Sequence, residues 1–233
     1  MTDTGTTPNL RELNKRRTRE AISHAATRLF IEQGFDRTTI AEVATAAGVA
    51  KMTVTNHFPR KEDLFFDLHE ELVLRLAHTV AGRAPGESAL SALRRDCLAA
   101  LDRHDPRLGF SGQDFARTVS ESPALGARLR ELNEQGETAL AEALAEAVHA
   151  IPVDFESRVA AALLAAVDRA VFTEVFRRTL AGEEHAAIAA AVHPWAARAF
   201  DRLEGALGSY AVRADQAAPA PPTGPAPWVA TRR

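Results

Sequence analysis

Residues 39–61 read TIAEVATAAGVAKMTVTNHFPRK, and their spacing predicts two short helices joined by a tight turn. Small and apolar residues share one face of the first helix, while Val54 and Phe58, four apart, share one face of the second. Gly48 falls between the helices, where a sharp turn requires a residue that tolerates a positive φ. The stretch is therefore typical of a helix-turn-helix, in which the second helix is presented to the major groove of DNA.

The second helix has a polar outer face once Val54 and Phe58 point inward. Ammonium, hydroxyl and amide groups can bond phosphates or base edges, and a methionine can pack on a thymine methyl. The residues left pointing outward are Lys51, Met52, Thr55 and Asn56, with Thr53 and His57 at the edges. A plain helical hairpin with a solvated face is the alternative, and the regular spacing of small, glycine and apolar residues disfavours it.

Charge is distributed unevenly along the 233 residues. The net charge is −3, yet residues 9–61 carry +5 and residues 62–233 carry −7. A basic N-terminal region on an acidic body indicates an N-terminal end that meets nucleic acid. The basic residues that open the first helix, and from which contacts to phosphates or to a minor groove are expected, are Lys15, Arg16, Arg17 and Arg19.

Helical periodicity extends over the rest of the chain, so an all-α protein of about nine helices is predicted. Thr39 and Glu42 are spaced as a capping box at the start of the first helix of the stretch. A single long helix of about 20 residues is expected from Lys61 to Gly82. The apolar residues placed on it at i+4 spacing are Leu64, Leu68, Leu72, Leu76 and Val80.

The pattern divides the chain into four segments. A disordered N-terminus is expected at 1–10 and a helix-turn-helix DNA-binding domain at 11–60. A helical bundle for effector binding and dimerisation follows at 61–210, and a flexible Pro/Ala-rich tail at 211–233.

The last two helices of the bundle, about Asp154 to Leu180 and Glu183 to Leu207, are unusually apolar. The run VAAALLAAV at 159–167 is apolar on every side, so that helix must be covered on more than one face. A pair of such helices from each subunit would form a four-helix dimer contact, and the alternative is that both line one core. Pro194 is expected to kink or restart the last helix. The stripe predicted on that helix is Ile188, Val192, Trp195, Ala199 and Leu203.

The three-helix head, with AEVATAAGVAKMTVTNHFPRKEDL at 41–64, and the long helix after it resemble the TetR/AcrR family of bacterial transcriptional regulators. The resemblance is specific over about residues 12–75. It implies an all-α homodimer that binds an inverted-repeat operator in double-stranded DNA and a small-molecule effector, with no cofactor. Carried over by position, the implied DNA-contacting residues are Thr39, Lys51, Thr53, Thr55, His57 and Lys61. Two departures stand out. Thr55 replaces a common tyrosine, so a phosphate contact is expected to be lost or shortened. The family often has Ser or Gly near Ala50 and Met52 and a serine cap at the position of Arg60, so an unusual base preference is expected.

An effector pocket is implied between the long helix and the helices that follow it. The residues chosen as its lining, from their type alone, are Phe110, Phe115, Asn133 and Phe172. An architectural DNA-binding dimer without effector is the main alternative, and about 120 residues of bundle exceed what dimerisation requires.

A helical-bundle enzyme is a second alternative, and the sequence offers little for it. His69-Glu70 is followed by Val73 where a zincin helix needs its second histidine, and no Gly-rich phosphate loop is present, so no metal site is predicted. The single cysteine, Cys97, fits a small buried hydrophobe. Without a signal peptide or a run long enough to span a bilayer, a cytoplasmic protein with no membrane contact is expected.

Overall fold

The computed structural model describes residues 10–150 and 152–214, and within these ranges every regular element is helical. The α-helices are α1 Leu10–Gln33, α2 Ile40–Ala47, α3 Lys51–His57, α4 Lys61–Phe65, α5 His69–Ala81, α6 Ala89–Asp102, α7 Gln113–Glu121, α8 Pro123–Ala147, α9 Phe155–Leu180, α10 His185–Asp201 and α11 Glu204–Leu207. A 3₁₀ turn at Pro106–Leu108 precedes α7. The predicted all-α class is confirmed, with more and shorter helices than expected.

Helices α1 to α4 form an N-terminal head around one apolar core. Ile22 and Phe30 of α1 meet Val43 of α2 and Val54 of α3, and all four side chains are fully buried. Residues of α7 and α8 also enter this core, including Leu125. The head is therefore packed on the body and does not hang from a linker.

The body is a bundle of α5 to α11 with a second core. α8 packs on both α5 and α9, and α10 packs on α6 and α9. Leu101, Leu140, Leu144, Leu164 and Val175 are among its buried side chains. Two cores joined by a packed interface give the head a defined position relative to the body.

The single helix predicted from Lys61 to Gly82 is wrong, because the chain turns at Phe66–Leu68 between α4 and α5. Phe66 leaves the helical region, with φ −100° and ψ 60°. Contacts from other helices hold the turn: Ser23 of α1 donates a 2.5 Å hydrogen bond to the Asp67 carboxylate. Phe65 stacks on Phe115 of α7 with 4.3 Å between ring centroids. Leu68, expected on the apolar stripe, is 53% exposed.

The C-terminal helices also differ in part from the prediction. α10 ends at Asp201, before the predicted Leu207, and continues through Pro194 without restarting. Trp195, expected on the packed stripe, is 46% exposed because the buried face of α10 runs through Val192 and Ala196 instead.

The predicted terminal segments fall mostly outside the described residues, which exclude 1–9 and 215–233. Helix α1 begins at Leu10, the last residue of the predicted N-terminal segment.

No helix among the described residues is both long and apolar enough to cross a bilayer.

Candidate nucleic-acid interface

The turn between α2 and α3 is built by local backbone chemistry. The Thr39 N–H donates to the Glu42 carboxylate at 2.7 Å, and the Glu42 N–H donates to the Thr39 hydroxyl at 3.2 Å, which is the predicted capping box. Gly48 ends α2 with φ +68°, and its N–H bonds back to the Thr45 carbonyl. A Cβ at Gly48 would meet no atom of residues 10–150 or 152–214 within 4 Å. The glycine is therefore required for its backbone angle and not for space.

Helix α3 has one anchored face and one free face. Val54 is buried on the inner side, and Phe58 just after the helix is buried with it. We call Lys51, Met52, Thr55 and Asn56 the α3 outer face; all four are exposed, as predicted. The apolar anchors fix the helix on the head, so its outer side chains have a defined position in solvent.

The α3 outer face carries positive charge and hydrogen-bonding groups. No acidic residue lies within α3. The Thr55 hydroxyl donates to the Met52 carbonyl at 3.1 Å and lies 3.6 Å from the Met52 sulfur. Thr53 and His57 are half-buried at its edges, as predicted. Partial burial, followed by repulsion from Arg19 and Lys15, lowers the pKa of His57.

The basic start of α1 lies close enough to add to this charge. Lys15, Arg16 and Arg17 are exposed. The positive charge of Lys15 is one of the causes that lower the pKa of His57 at the end of α3. Arg16 pairs with Glu20 at 2.9 Å, an exposed i,i+4 pair that holds its guanidinium only weakly.

Arg19, grouped with these basic residues in the sequence, instead anchors α3. Its guanidinium donates to the His57 carbonyl at 2.9 Å and to the Asp67 carbonyl at 2.9 Å. It also lies 4.2 Å from the centroid of the Phe58 ring. One side chain therefore joins α1, the end of α3 and the α4–α5 turn. Spacing offered a signal, since Arg19 precedes Ile22 by three residues on the buried side of α1.

Lys61, implied as a DNA contact by the resemblance, lies half-buried against the head. Its ammonium donates to the Phe35 carbonyl and lies 4.3 Å from the centroid of the Phe35 ring. Burial lowers the pKa of Lys61, although nearby carboxylates, Asp36 first, oppose the shift. This geometry favours a supporting role over a direct contact.

An ion-pair network connects the end of the DNA-binding region to the body. Arg60 pairs with Glu131 of α8 at 2.6 Å, and Arg128 pairs with the same carboxylate at 2.9 Å. Arg128 also holds Asp63 of α4 at 2.8 Å, and both side chains of that pair are more than 90% buried. The sequence did not indicate this network, since the spacing of Glu131 fits a solvated helix face equally well.

A cleft of about 300 Å³ lies beside the α4–α5 turn, at the junction of head and body. Three of the four residues chosen as effector lining share its wall, namely Phe110, Phe115 and Phe172. Asn133 does not; it lines an adjoining cavity of about 40 Å³ in the body. Cys97 is buried and lines neither the cleft nor this cavity, and its burial raises the pKa of its thiol to about 12.

Comparisons with known proteins agree with this geometry. Residues 22–68 match the model of the bacterial regulatory proteins of the tetR family. The chain is 32% identical over 178 residues to the HTH-type transcriptional regulator TcmR of Streptomyces glaucescens, covering 73% of this chain and 78% of that protein. It is 35% identical over 94 residues to the HTH-type transcriptional repressor AcnR of Corynebacterium diphtheriae, covering 40% of this chain and 46% of that protein.

Among solved structures, the fold resembles NalD, the secondary repressor of the MexAB-OprM multidrug efflux pump in Pseudomonas aeruginosa. The TM-score is 0.51 at 20% identity, over 81% of this chain and 96% of that one. The chain belongs to the TetR family, and it is a DNA-binding transcriptional regulator. The predicted family, fold and general function are confirmed. The roles of individual residues remain predictions.

Proposed function

We propose that the protein is a homodimeric repressor that binds an inverted repeat and is released by a small-molecule effector. The single observation that carries the DNA-binding part is the α3 outer face, which is exposed and basic while Val54, Phe58 and Arg19 fix the helix behind it. Two such helices related by a two-fold axis would enter major grooves about 34 Å apart or somewhat more.

Each residue of the outer face has a chemistry suited to duplex DNA. Lys51 can bond a phosphate or a guanine edge, and Asn56 can form two hydrogen bonds with an adenine. Met52, 69% exposed, can pack on a thymine methyl. Thr55 is too short to reach the phosphate that a tyrosine would contact, so a weaker contact to the DNA backbone is expected there.

Contacts to the DNA backbone would come from the edges of this face. Thr39, Thr53 and His57 can donate to phosphates, and the exposed cluster Lys15, Arg16 and Arg17 can contact the backbone or an adjacent minor groove.

Dimerisation is assigned to α9 and α10, which leave large apolar side chains in solvent. Phe155 is 76% exposed, and Val159 and Leu163 continue the same stripe of α9 at i+4 spacing. Trp195 of α10 is also exposed, and its ring centroid lies 5.3 Å from the Arg178 guanidinium near the end of α9. Contiguous exposed apolar area of this kind marks an association site. The variant Leu163→Glu should sediment as a monomer, whereas Glu146→Gln on α8 should leave the parent's mass unchanged.

Effector release is assigned to the cleft beside the α4–α5 turn. Phe66, Asp67 and Leu68 form part of its wall, and the Asp67 carbonyl is bonded by the same Arg19 that holds the end of α3. A ligand that displaces the wall would move Arg19 and with it the reading helix. A hundredfold loss of operator affinity requires about 2.7 kcal/mol of coupling, and the operator must weaken effector binding equally.

The alternative, an architectural DNA-binding dimer without effector, would not need the cleft at the junction of head and body. Repression is supported by relatives named as repressors, among them AcnR. Operator DNA lies in the bacterial cytoplasm, so the proposal also places the protein there.

The test is to select duplexes bound by the full-length protein from random DNA and then to screen small molecules for release. An inverted repeat with release by at least one ligand supports the proposal. A ligand whose affinity is the same with and without operator refutes the coupling.

A further inference from the structure

The cleft at the head–body junction encloses about 300 Å³ between two walls. One wall is the α4–α5 turn and the start of α5, from Phe65 to Leu72, and the other runs from Pro106 to Phe115. Its volume lies at the lower end of the range of about 300–1,000 Å³ found for small-molecule sites. The inference below concerns the ligand of this cleft and therefore rests on the proposed effector function.

Phenyl rings dominate the lining. The five phenylalanines in it are Phe65, Phe66, Phe110, Phe115 and Phe172. Phenyl faces and edges favour flat aromatic partners through offset and edge-to-face contacts, which add to the stabilisation from buried area alone. Aliphatic chains gain no such term.

The cleft is short in the direction that leads into the body. The adjoining cavity shares Leu72, Arg107, Leu129 and Phe172 with it but offers only about 40 Å³. The ion pair of Arg75 and Asp168, at 2.5 Å, forms part of the wall of this small cavity. An extended acyl chain would find no continuing apolar channel there, whereas a compact ring system fits the wider outer space.

One polar atom in the wall lacks a partner. The Ser111 hydroxyl is buried and has no hydrogen-bond partner among the described residues. A buried hydroxyl without a partner costs free energy. Ser111 lines the cleft and is only half-buried as a residue, so a change of its χ1 rotamer would be needed to present the hydroxyl to the cleft, where a ligand oxygen could accept from it.

The charged groups of the cleft favour a neutral ligand. Arg107 is already held by two hydrogen bonds to Asp105, at 3.0 and 2.7 Å. On the opposite wall stand the Asp67 carboxylate, which accepts from Ser23, and His69, whose Nδ1 is bonded to the Phe66 carbonyl. An anionic ligand would be repelled by Asp67 without gaining a free cation.

We propose that this cleft binds a neutral, flat aromatic molecule of two or three fused rings whose phenolic or carbonyl oxygen accepts a hydrogen bond from Ser111. The ring system lies between the phenylalanines of the two walls. Ser111 is thus the residue that selects an oxygenated ring over a bare hydrocarbon.

The experiment measures binding to the full-length protein by titration calorimetry, without DNA. The probes are 2-naphthol, naphthalene, 2-naphthoate and decanoate. We expect 2-naphthol to bind more tightly than each of the other three by about 3- to 10-fold or more, the gain of one hydrogen bond. Equal affinity of 2-naphthol and naphthalene, or tighter binding of decanoate or 2-naphthoate, overturns the inference.

Two variants test the site itself. Ser111→Ala should weaken 2-naphthol about 3- to 10-fold and leave naphthalene within about twofold. The exposed Ser120→Ala on α7 is the matched control and should bind like the parent. Leu68→Trp, at an exposed position of the wall that tolerates a larger side chain, should weaken both probes. Parent-like binding by Ser111→Ala or by Leu68→Trp overturns the inference.

The outcome is separable from that of the proposed function. Binding with this pattern supports the inference whether or not operator affinity changes, whereas a bound probe that leaves operator affinity unchanged contradicts only the release mechanism.

Discussion

The α2–α3 corner and the α4–α5 corner are both sharp turns in the same head, but different forces hold them. Thr39, Glu42 and Gly48 fix the first through bonds within ten residues of sequence. Side chains of α1 and α7 hold the second, including Ser23, which is 44 residues from its partner Asp67. The first corner is a preformed unit that can move as a body. The second depends on packing between elements, so a ligand in the adjacent cleft can change it.

The largest effect should come from the buried pair that supports the second corner. Arg128→Ala leaves the Asp63 carboxylate, 6% exposed, without its guanidinium, so we expect the free energy of unfolding to fall by about 3 kcal/mol. Arg130→Ala, exposed on the same helix, should change it by less than about 0.5 kcal/mol. Urea denaturation of both variants measures the two changes in the free energy of unfolding. Equal losses would mean that the pair does not stabilise the junction.

Arg19 bonds both the end of α3 and the α4–α5 corner, so its removal should lower both the stability of the protein and its affinity for the operator. Arg19→Ala removes two hydrogen bonds from a charged donor and a cation–π contact, for an expected loss of about 2 kcal/mol of unfolding free energy. Operator affinity should fall as well, because the end of α3 loses its anchor. Arg16→Ala, which lies on the exposed side of α1, should leave stability unchanged. A stable Arg19→Ala protein would contradict the anchoring role.

Two lysines distinguish a residue that contacts DNA from one that stabilises the head. Lys51→Ala should weaken operator binding about tenfold and reduce the slope of log affinity against log salt by about 0.9, with stability unchanged. Lys61→Ala should instead lower the free energy of unfolding, because its ammonium is held by the Phe35 carbonyl. Fluorescence anisotropy at several salt concentrations and thermal unfolding measure the two effects. Exchanged outcomes would show that Lys61, and not Lys51, faces the duplex.

The first corner should respond to its backbone angle alone. Gly48→Ala forces a Cβ into the left-handed region without any clash, so a loss of about 1 kcal/mol is expected. Gly126→Ala, inside α8 and in ordinary contact with Arg130, should stabilise the protein by about 0.5–1 kcal/mol. Chemical denaturation measures both changes in the free energy of unfolding, and opposite signs support the account. An unchanged stability of Gly48→Ala would show that the positive φ does not require glycine.

The smallest effect concerns the capping box and pH. The hydrogen bond from the Thr39 backbone, followed by that from its hydroxyl, lowers the pKa of Glu42 below 4.5. A lowered pKa means that the stabilisation is present above pH 4.5 and is lost as the pH falls through the folded-state pKa. The difference in thermal midpoint between the parent and Glu42→Gln should therefore be larger at pH 7 than at pH 3. A difference independent of pH would contradict the cap.

The same contrast explains what the sequence could predict. The Thr39–Glu42 spacing, the glycine and the inward Val54 and Phe58 are local signals, and they predicted the first corner and the exposed face of α3. The turn at Phe66–Leu68 continues a helical pattern without interruption. The helix is interrupted there only by contacts from helices distant in sequence, and hydrophobic periodicity carries no information about such contacts.

Residue type alone was likewise an incomplete guide to where a side chain lies. Arg19 and Lys61 have the charge of a DNA contact, yet their carbonyl partners lie on other elements of the head. Phe110, Phe115 and Phe172 do share the cleft, while Asn133 lines the neighbouring cavity, because residue type alone does not say which cavity a side chain lines.

The central claim, that the α3 outer face recognises a duplex by its sequence, is tested most directly by competition. A selected inverted repeat is titrated with the full-length protein at about 150 mM salt against a scrambled duplex of equal length, for the parent and for Asn56→Ala. The account predicts at least a thousandfold preference by the parent. For Asn56→Ala it predicts a preference reduced by about 1–3 kcal/mol, about 5- to 150-fold. No preference by the parent, or an unchanged preference in the variant, would contradict it.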